Sequence, residues 1–403
     1  MGNKRLIVSV ILVIVIITAG LGYAHIAKNN KNKNQKEAEI IVKDEKVKAI
    51  DEGIDTSNWD LNKVKIEYDT ESVPVPVPIG WTASGAEGEH TVNTGFVIYE
   101  GTGAVNNENA WEQSKTRNQF VWVPVPDPSR IYEKNSTTGK IKAKLWNFTA
   151  TGKTAISNGD TDSKLEVGIL TSGKYDNIEK FTKYNAQGYT KDMFYKELES
   201  EFNRAMKSIE KYNGFYIGRY ETGNVTSIKP VIRRLNDNIG RWQNWYQLYL
   251  RMKNIGGSNK NIQTGIIWGC LWNETTQWLI DTGEKTRNEI VSNSTSWGNY
   301  YDVEFTYTKT NGETATKTKK YAIRIPTGST ERNKINNIYD MAGNVSDYTL
   351  EIKKESNSNI VTSARVSRGG GVNLATYPLS YRYYGYPNTT SDVDGYRAYM
   401  YIQ

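Results

Sequence analysis

The sequence predicts an α+β domain of short strands, few helices and much irregular loop, preceded by one N-terminal transmembrane helix. Three observations lead there. Strand-like runs are short and end in Gly, Pro, Asn or Ser. Only one stretch carries a long helical stripe of apolar residues. The first 27 residues are apolar where the rest of the chain is polar.

After Lys4 and Arg5, residues 6–27 are nearly free of polar groups and long enough to cross a bilayer. The small residues before Ala24 also fit a signal peptide, which would leave a secreted chain. The length of the run favours an uncleaved single-pass anchor in the cell membrane, with the C-terminal part extracytoplasmic. Residues 28–70 are polar and charged and read as a stalk. Residues 71–94 contain SVPVPVPIG, whose alternate prolines cannot join a central strand; an extended edge or polyproline spacer is expected.

Residues 95–101 (GFVIYEG) and 118–126 (NQFVWVPVP) read as strands. Residues 127–190 are rich in Gly, Ser, Thr, Asn and Lys and read as an insertion or long loops. Residues 192–214 form the best helix: Asp192 caps it, Phe194, Leu198, Phe202, Ala205 and Ile209 make its stripe, and Gly214 ends it. A strand follows at GFYIG, then a helix within 241–257 stopped by Gly256 and Gly257. A short helix over 272–281 is capped by Asn273. Short strands between turns fill the remainder.

Composition excludes several function classes. The formal charge is +7, but residues 1–50 hold nine Lys/Arg and four Asp/Glu. Subtracting these from 51 and 44 leaves 42 basic and 40 acidic residues, so nucleic acid is not an expected partner. Cys270 is the lone cysteine, and His25 and His90 are the only histidines, His25 lying in the leader. No intrachain disulfide and no Cys/His zinc site can be built. A hydrolytic triad would have to use His90, in a Gly-rich loop, where a solvated imidazole is the simpler reading.

The ordered pieces FVWVPV, GFYIGRYETGN, TSWGN, IYDMAGNVSDYT, RVSRGGG and DGYRAYM resemble the formylglycine-generating (sulfatase-modifying factor) family. The resemblance covers about residues 95–403, with an insertion at about 127–211. It implies an elaborated C-type-lectin-like fold, in a form like the membrane-tethered versions of Gram-positive anaerobes. Family enzymes that oxidise cysteine hold copper with two thiolates after the Arg-Gly-Gly segment; here Leu374 and Leu379 stand at those positions. The iron-dependent branch needs several histidines. The resemblance therefore implies no catalytic residue, and no copper, zinc or iron is expected.

The same resemblance implies a structural calcium ion in IYDMAGNVSDYT, with carboxylates from Asp340 and Asp347 and carbonyls from Gly343 and Val345. The family usually has Glu where Asp347 stands. Without the resemblance, Asp340 reads as a cap, Gly343 as a turn and Asp347 as a solvated charge. Glu221, Arg365, Arg368, Gly369, Gly370 and Arg397 read as structural, the arginines pairing with buried acids.

Tyrosine is abundant, 27 against 8 Phe, and eight lie between Tyr377 and Tyr401. Asn373, Tyr377, Tyr381, Tyr383, Tyr384 and Tyr386 are the candidate ligand surface, since Tyr gives large contact area at small entropic cost. The expected function is a non-catalytic, surface-anchored binding or display protein with a protein or glycan ligand. The alternatives are an enzyme using carboxylates and Tyr in a loop-lined cleft, or a passive envelope component.

Overall fold

The computed structural model describes residues 53–156, 190–237, 239, 243–357, 360–374, 377–387 and 389–403. The expected anchor, most of the stalk and residues 157–189 of the insertion lie outside the described residues. No helix among the described residues is long and apolar enough to cross a membrane. From Thr56 to Gln403 the chain is one compact unit of mixed sheets and five described helices, an α+β architecture.

The expected stalk ends earlier than residue 70. Strand β1 (Val64–Tyr68) pairs antiparallel with β2 (Pro74–Pro78), from Val64 opposite Pro78 to Tyr68 opposite Pro74. Pro74, Pro76 and Pro78 carry no N–H, so this ladder stays two-stranded. Val75 and Val77 between them are buried, and Pro76 O accepts from Tyr216 Oη at 3.1 Å.

Strands β3 (Trp81–Ala83), β4 (Val97–Glu100) and β5 (Gln119–Pro124) follow, with helix α1 (Ala110–Thr116) before β5. Two hairpins fill the described part of the expected insertion: β6 (Tyr132–Lys134) with β7 (Ile141–Ala143), and β8 (Trp146–Thr149) with β9 (Gly152–Ala155). Next come α2 (Lys191–Tyr212), β10 (Gly214–Gly218), α3 (Trp245–Met252), β11 (Ile262–Ile266), α4 (Gly269–Asp281) and α5 (Arg287–Val291). Two small hairpins follow, β12 (Phe305–Thr308) with β13 (Thr314–Lys317) and β14 (Lys334–Ile335) with β15 (Ile338–Tyr339). The chain then runs through β16 (Ser346–Asn357), β17 (Ile360–Arg368), β18 (Arg382–Gly385), β19 (Asp394–Tyr396) and β20 (Ala398–Ile402).

The main sheet has the order β11-β20-β10-β5-β4-β3, and every pair in it is antiparallel. Register places Ile217, Tyr399 and Gly265 on one face and Tyr216, Met400 and Thr264 on the other. The second sheet has the order β18-β17-β16-β19, with β19 parallel to β16.

Helix α2 belongs to the main sheet's cover and not to the insertion expected to reach residue 211. All five stripe residues are fully buried, Phe202 meets Trp268 at 5.0 Å, and Tyr399 Oη donates to Glu201 at 3.1 Å. The cap is Thr190, whose side chain accepts from Met193 N, so the expected cap Asp192 falls inside the helix. Asn213, left-handed at φ 61°, ends it, leaving Gly214 to open β10.

Helix α3 starts at Asn244, which forms a reciprocal capping box with Gln247. Helix α4 starts at Gly269, before the expected cap Asn273. Asn273 instead ties β8 to α4, accepting from Trp146 N at 2.9 Å and donating to Trp146 O at 3.2 Å.

Gly214 is required by close packing. A Cβ there would lie 2.3 Å from the Trp122 ring and 2.6 Å from Val123 O. Gly214→Ala should lower stability by about 1–3 kcal/mol, read as a lower urea midpoint at unchanged slope.

Candidate functional site

Residues 338–349, the motif expected to hold calcium, are buried along their whole length. The backbone turns through three left-handed residues, Asp340 (φ 56°), Gly343 (φ 73°) and Asn344 (φ 64°). At Gly343 a Cβ would sit 2.3 Å from Asn299 O, so no larger residue fits. The other two positions are held by side-chain bonds. Asp340 Oδ2 accepts from Thr327 Oγ1 at 2.9 Å and Gly328 N at 2.8 Å, and its Oδ1 accepts from Asn333 Nδ2 at 2.9 Å. Asn344 Nδ2 donates to Glu221 at 2.6 Å, and its Oδ1 accepts from Asn299 Nδ2 and Ile325 N. Glu221 also accepts from Val345 N at 3.1 Å.

Arg397 closes the arrangement. Its Nε donates to Asp347 Oδ2 at 2.8 Å, Nη1 to Gly218 O at 3.0 Å, and Nη2 to Tyr339 O at 3.0 Å and Asp340 O at 3.1 Å. The guanidinium thus bonds one carboxylate, that of Asp347, while its charge also acts on Glu221 and Asp340, and all four groups are buried. Burial, together with the charges of Asp340 and Asp347, pushes the Glu221 carboxyl well above its usual range. Burial also raises Asp340, and lifts Asp347 to about 6 against the lowering pull of Arg397.

A hard cation would suit this excess of buried acid. Asp347 Oδ1 is buried without a hydrogen-bond partner, and Asp340 Oδ1 has accepted only one bond. Asp340 Oδ2 is already filled by two donors. No group of three or more His, Cys, Asp or Glu side chains among the described residues is arranged to hold a metal.

A second buried ion cluster lies beneath β16, β17 and β18. Glu351 accepts from Arg368 Nη2 at 2.7 Å and also meets Arg382. Its carboxylate faces the start of α4, where a Cβ on Gly269 would come within 2.5 Å of it, and the helix dipole favours an anion there. Arg365 takes an indole as well as a backbone partner: its guanidinium lies 3.9 Å over Trp245 and donates to Leu350 O at 2.8 Å. Gly369 and Gly370 have positive φ, where a Cβ would strike Met341 O and Tyr377 O.

Leu379 is buried and Leu374 half-buried, and Cys270 is buried in α4. His90 turns Nδ1 to Ser84 O at 2.6 Å and Nε2 to Tyr68 O at 3.2 Å, so neither nitrogen faces a nucleophile. Its imidazole ties loops together where solvation alone was expected.

The candidate tyrosine surface is partly assembled. Tyr377 and Tyr381 stack with centroids 4.0 Å apart, Tyr383 lies 6.3 Å from Tyr377, and Tyr383 and Tyr384 stack at 5.7 Å. Tyr381 is 37% exposed and Tyr383 45%. Asn373 is exposed, while Tyr384 and Tyr386 are half-buried. Tyr396, Tyr399 and Tyr401 are buried and belong to the core.

Sequence reasoning missed Glu274. It is buried on α4, 3.1 Å from Arg130 Nη2, with Asp281 3.5 Å from the same nitrogen. Burial lifts its carboxyl to about 7 despite Arg130 and Lys153, so it exchanges a proton near neutrality. The Trp and Leu residues that flank it on both sides in GCLWNETTQWL were the available signal.

Comparison with protein-family models finds none that matches this chain, and comparison with curated proteins finds no similar one.

Removing Arg397 would leave three buried carboxylates without their shared cation. Arg397→Met should cost about 3–5 kcal/mol in denaturant unfolding, and a cost below about 1 kcal/mol would show that the cluster does not depend on it.

Proposed function

We propose that the chain is a non-catalytic binding or display protein built on a lectin-like scaffold of the formylglycine-generating type. In this reading an N-terminal helix anchors it in the cell membrane and holds Thr56–Gln403 outside the cytoplasm. The observation that carries the proposal is the tyrosine stack. Tyr377 and Tyr381 lie face to face, with Tyr383 beside them and two of the three rings open to solvent. Exposed aromatic faces suit the C–H face of a sugar or an apolar side chain, and their hydroxyls add hydrogen bonds at the rim. The ligand proposed is therefore a surface glycan or protein. The acids of the calcium motif and the Arg368–Glu351 pair are buried and bonded to protein groups, which supports a structural role for both.

In a panel of immobilised glycans and surface proteins, wild-type chain should bind at least one member. Tyr381→Ala with Tyr383→Ala should weaken that binding about tenfold or more at unchanged melting temperature. An empty panel, or equal binding by the variant, would sink the proposal.

We also propose that calcium occupies the Asp340–Asp347 loop, supplying positive charge to the acid cluster through Asp347, Asp340, Gly343 O and Val345 O. At pH 7.5 and calcium a hundredfold above its dissociation constant, stability should rise by about 2.7 kcal/mol. Asp347 is raised from the unfolded carboxylate range to about 6, so its ionisation costs stability as pH rises through that window. Bound calcium offsets this cost above pH 6 and is lost as pH falls below it. Melting temperatures with and without chelator at pH 7.5 and 5 test this; no difference at pH 7.5 refutes it.

A further inference from the structure

We propose that the groove between α2 and β20 binds a linear phosphate-bearing polymer. The groove encloses about 440 Å³ and is lined by Lys63, Arg204, Lys207, Lys211, Tyr401 and Gln403. Arg204, Lys207 and Lys211 fall three and four residues apart on α2 and so share one face. The helical rise sets them roughly 4.5 and 6 Å apart along the axis, a row of about 10 Å. All three are exposed, and none has a carboxylate within 4 Å among the described residues. Lys63 joins the row from the turn before β1, donating to the main-chain oxygen of Gln403, with Asp60 3.8 Å away.

The bland account of such a row is helix-end electrostatics. It covers Lys211, which lies in the last turn, but not Arg204 and Lys207 in the helix body. The groove is also built rather than merely lysine-bearing. Arg204 is steadied by Ser200 Oγ at 2.6 Å and Tyr401 Oη at 3.4 Å, and Lys211 lies 5.3 Å over the Tyr212 ring. Tyr401, Ile402, Ser208 and Tyr212 form a buried floor. Like charges fixed on a rigid helix repel one another, and a chain of anionic groups following the row relieves that repulsion at three or four points. The guanidinium fork takes two oxygens of one phosphate while the ammonium groups take single oxygens. The row is longer than one phosphate group, which points to a polymer. Beyond residue 50 the chain is nearly charge-balanced, so the row is a local feature and not part of a general basic field.

The test uses the full-length chain in nonionic detergent micelles and fluorescently labelled inorganic polyphosphate, read by anisotropy. Wild type should bind, and rising salt should weaken the binding. The triple variant Arg204→Ala, Lys207→Ala, Lys211→Ala should bind about tenfold or more weakly at an unchanged melting temperature. A control losing equal charge elsewhere, Lys115→Ala, Lys140→Ala, Lys319→Ala, should bind as wild type. Equal loss in both variants, or no loss in the groove variant, overturns the proposal. Wild-type binding to micelles doped with anionic phospholipid but not to polyphosphate would also overturn it, by making the groove a membrane contact. Inorganic phosphate should compete only at far higher concentration; competition at equal phosphate concentration would reduce the site to a single-anion pocket and refute the polymer.

Discussion

The guanidinium of Arg397 joins the parts of this protein. Its bonds reach the end of β10 at Gly218, the turn after β15 at Tyr339 and Asp340, and the start of β16 at Asp347. This one side chain thereby bridges the main sheet and the four-stranded sheet, beside backbone bonds such as Leu350 N to Ile267 O at 3.0 Å. A planar group with five donors can satisfy acceptors in three directions at once, which a lysine ammonium on its flexible stem would do poorly. Arg397 is fully desolvated, a cost that only its carboxylate and carbonyl partners can offset. Burial raises all three acids around it, and the neighbouring carboxylates add to the rise at Glu221 and Asp347.

Much of the architecture was legible because it follows from periodicity. The stripe from Phe194 to Ile209 identifies α2, and alternate prolines identify a strand that cannot be central. Helix ends were less legible. Thr190, Asp192 and Asn273 all have capping chemistry, and only the tertiary setting selects among them. Asn273 is claimed by the backbone of Trp146, 127 residues away, and such a partner leaves no local trace. Arg365 has the same lesson: nothing in its local sequence tells that its guanidinium lies over the Trp245 ring, 120 residues earlier.

The tyrosines show where pattern reading stops. Alternation should separate inward from outward residues, yet every residue of β20 is buried. That strand lies between β10 and β11, with both faces covered, so Tyr399 and Tyr401 differ from Tyr381 and Tyr383 in burial but not in local sequence character. Their hydroxyls find Glu201 and Arg204, partners on α2 nearly two hundred residues earlier. The basic row of α2 was hidden for a related reason. In sequence it reads as the solvated side of an amphipathic helix, and only the packing of β20 beside it makes a groove.

The position of β20 in the sheet also bears on how the chain comes to be built. Strands β10 and β11 are held side by side by a strand synthesised more than 130 residues after either of them. Until residue 402 has left the ribosome, each presents an open edge and the face beneath α2 has no Tyr399 to receive Glu201. Co-translational folding can therefore complete the early hairpin of β1 and β2, whereas the main sheet must wait as two unpaired halves. Strand edges of the nascent chain stay exposed until β20 is made, and a frameshift shortly before β20 would damage the middle of the sheet rather than its margin.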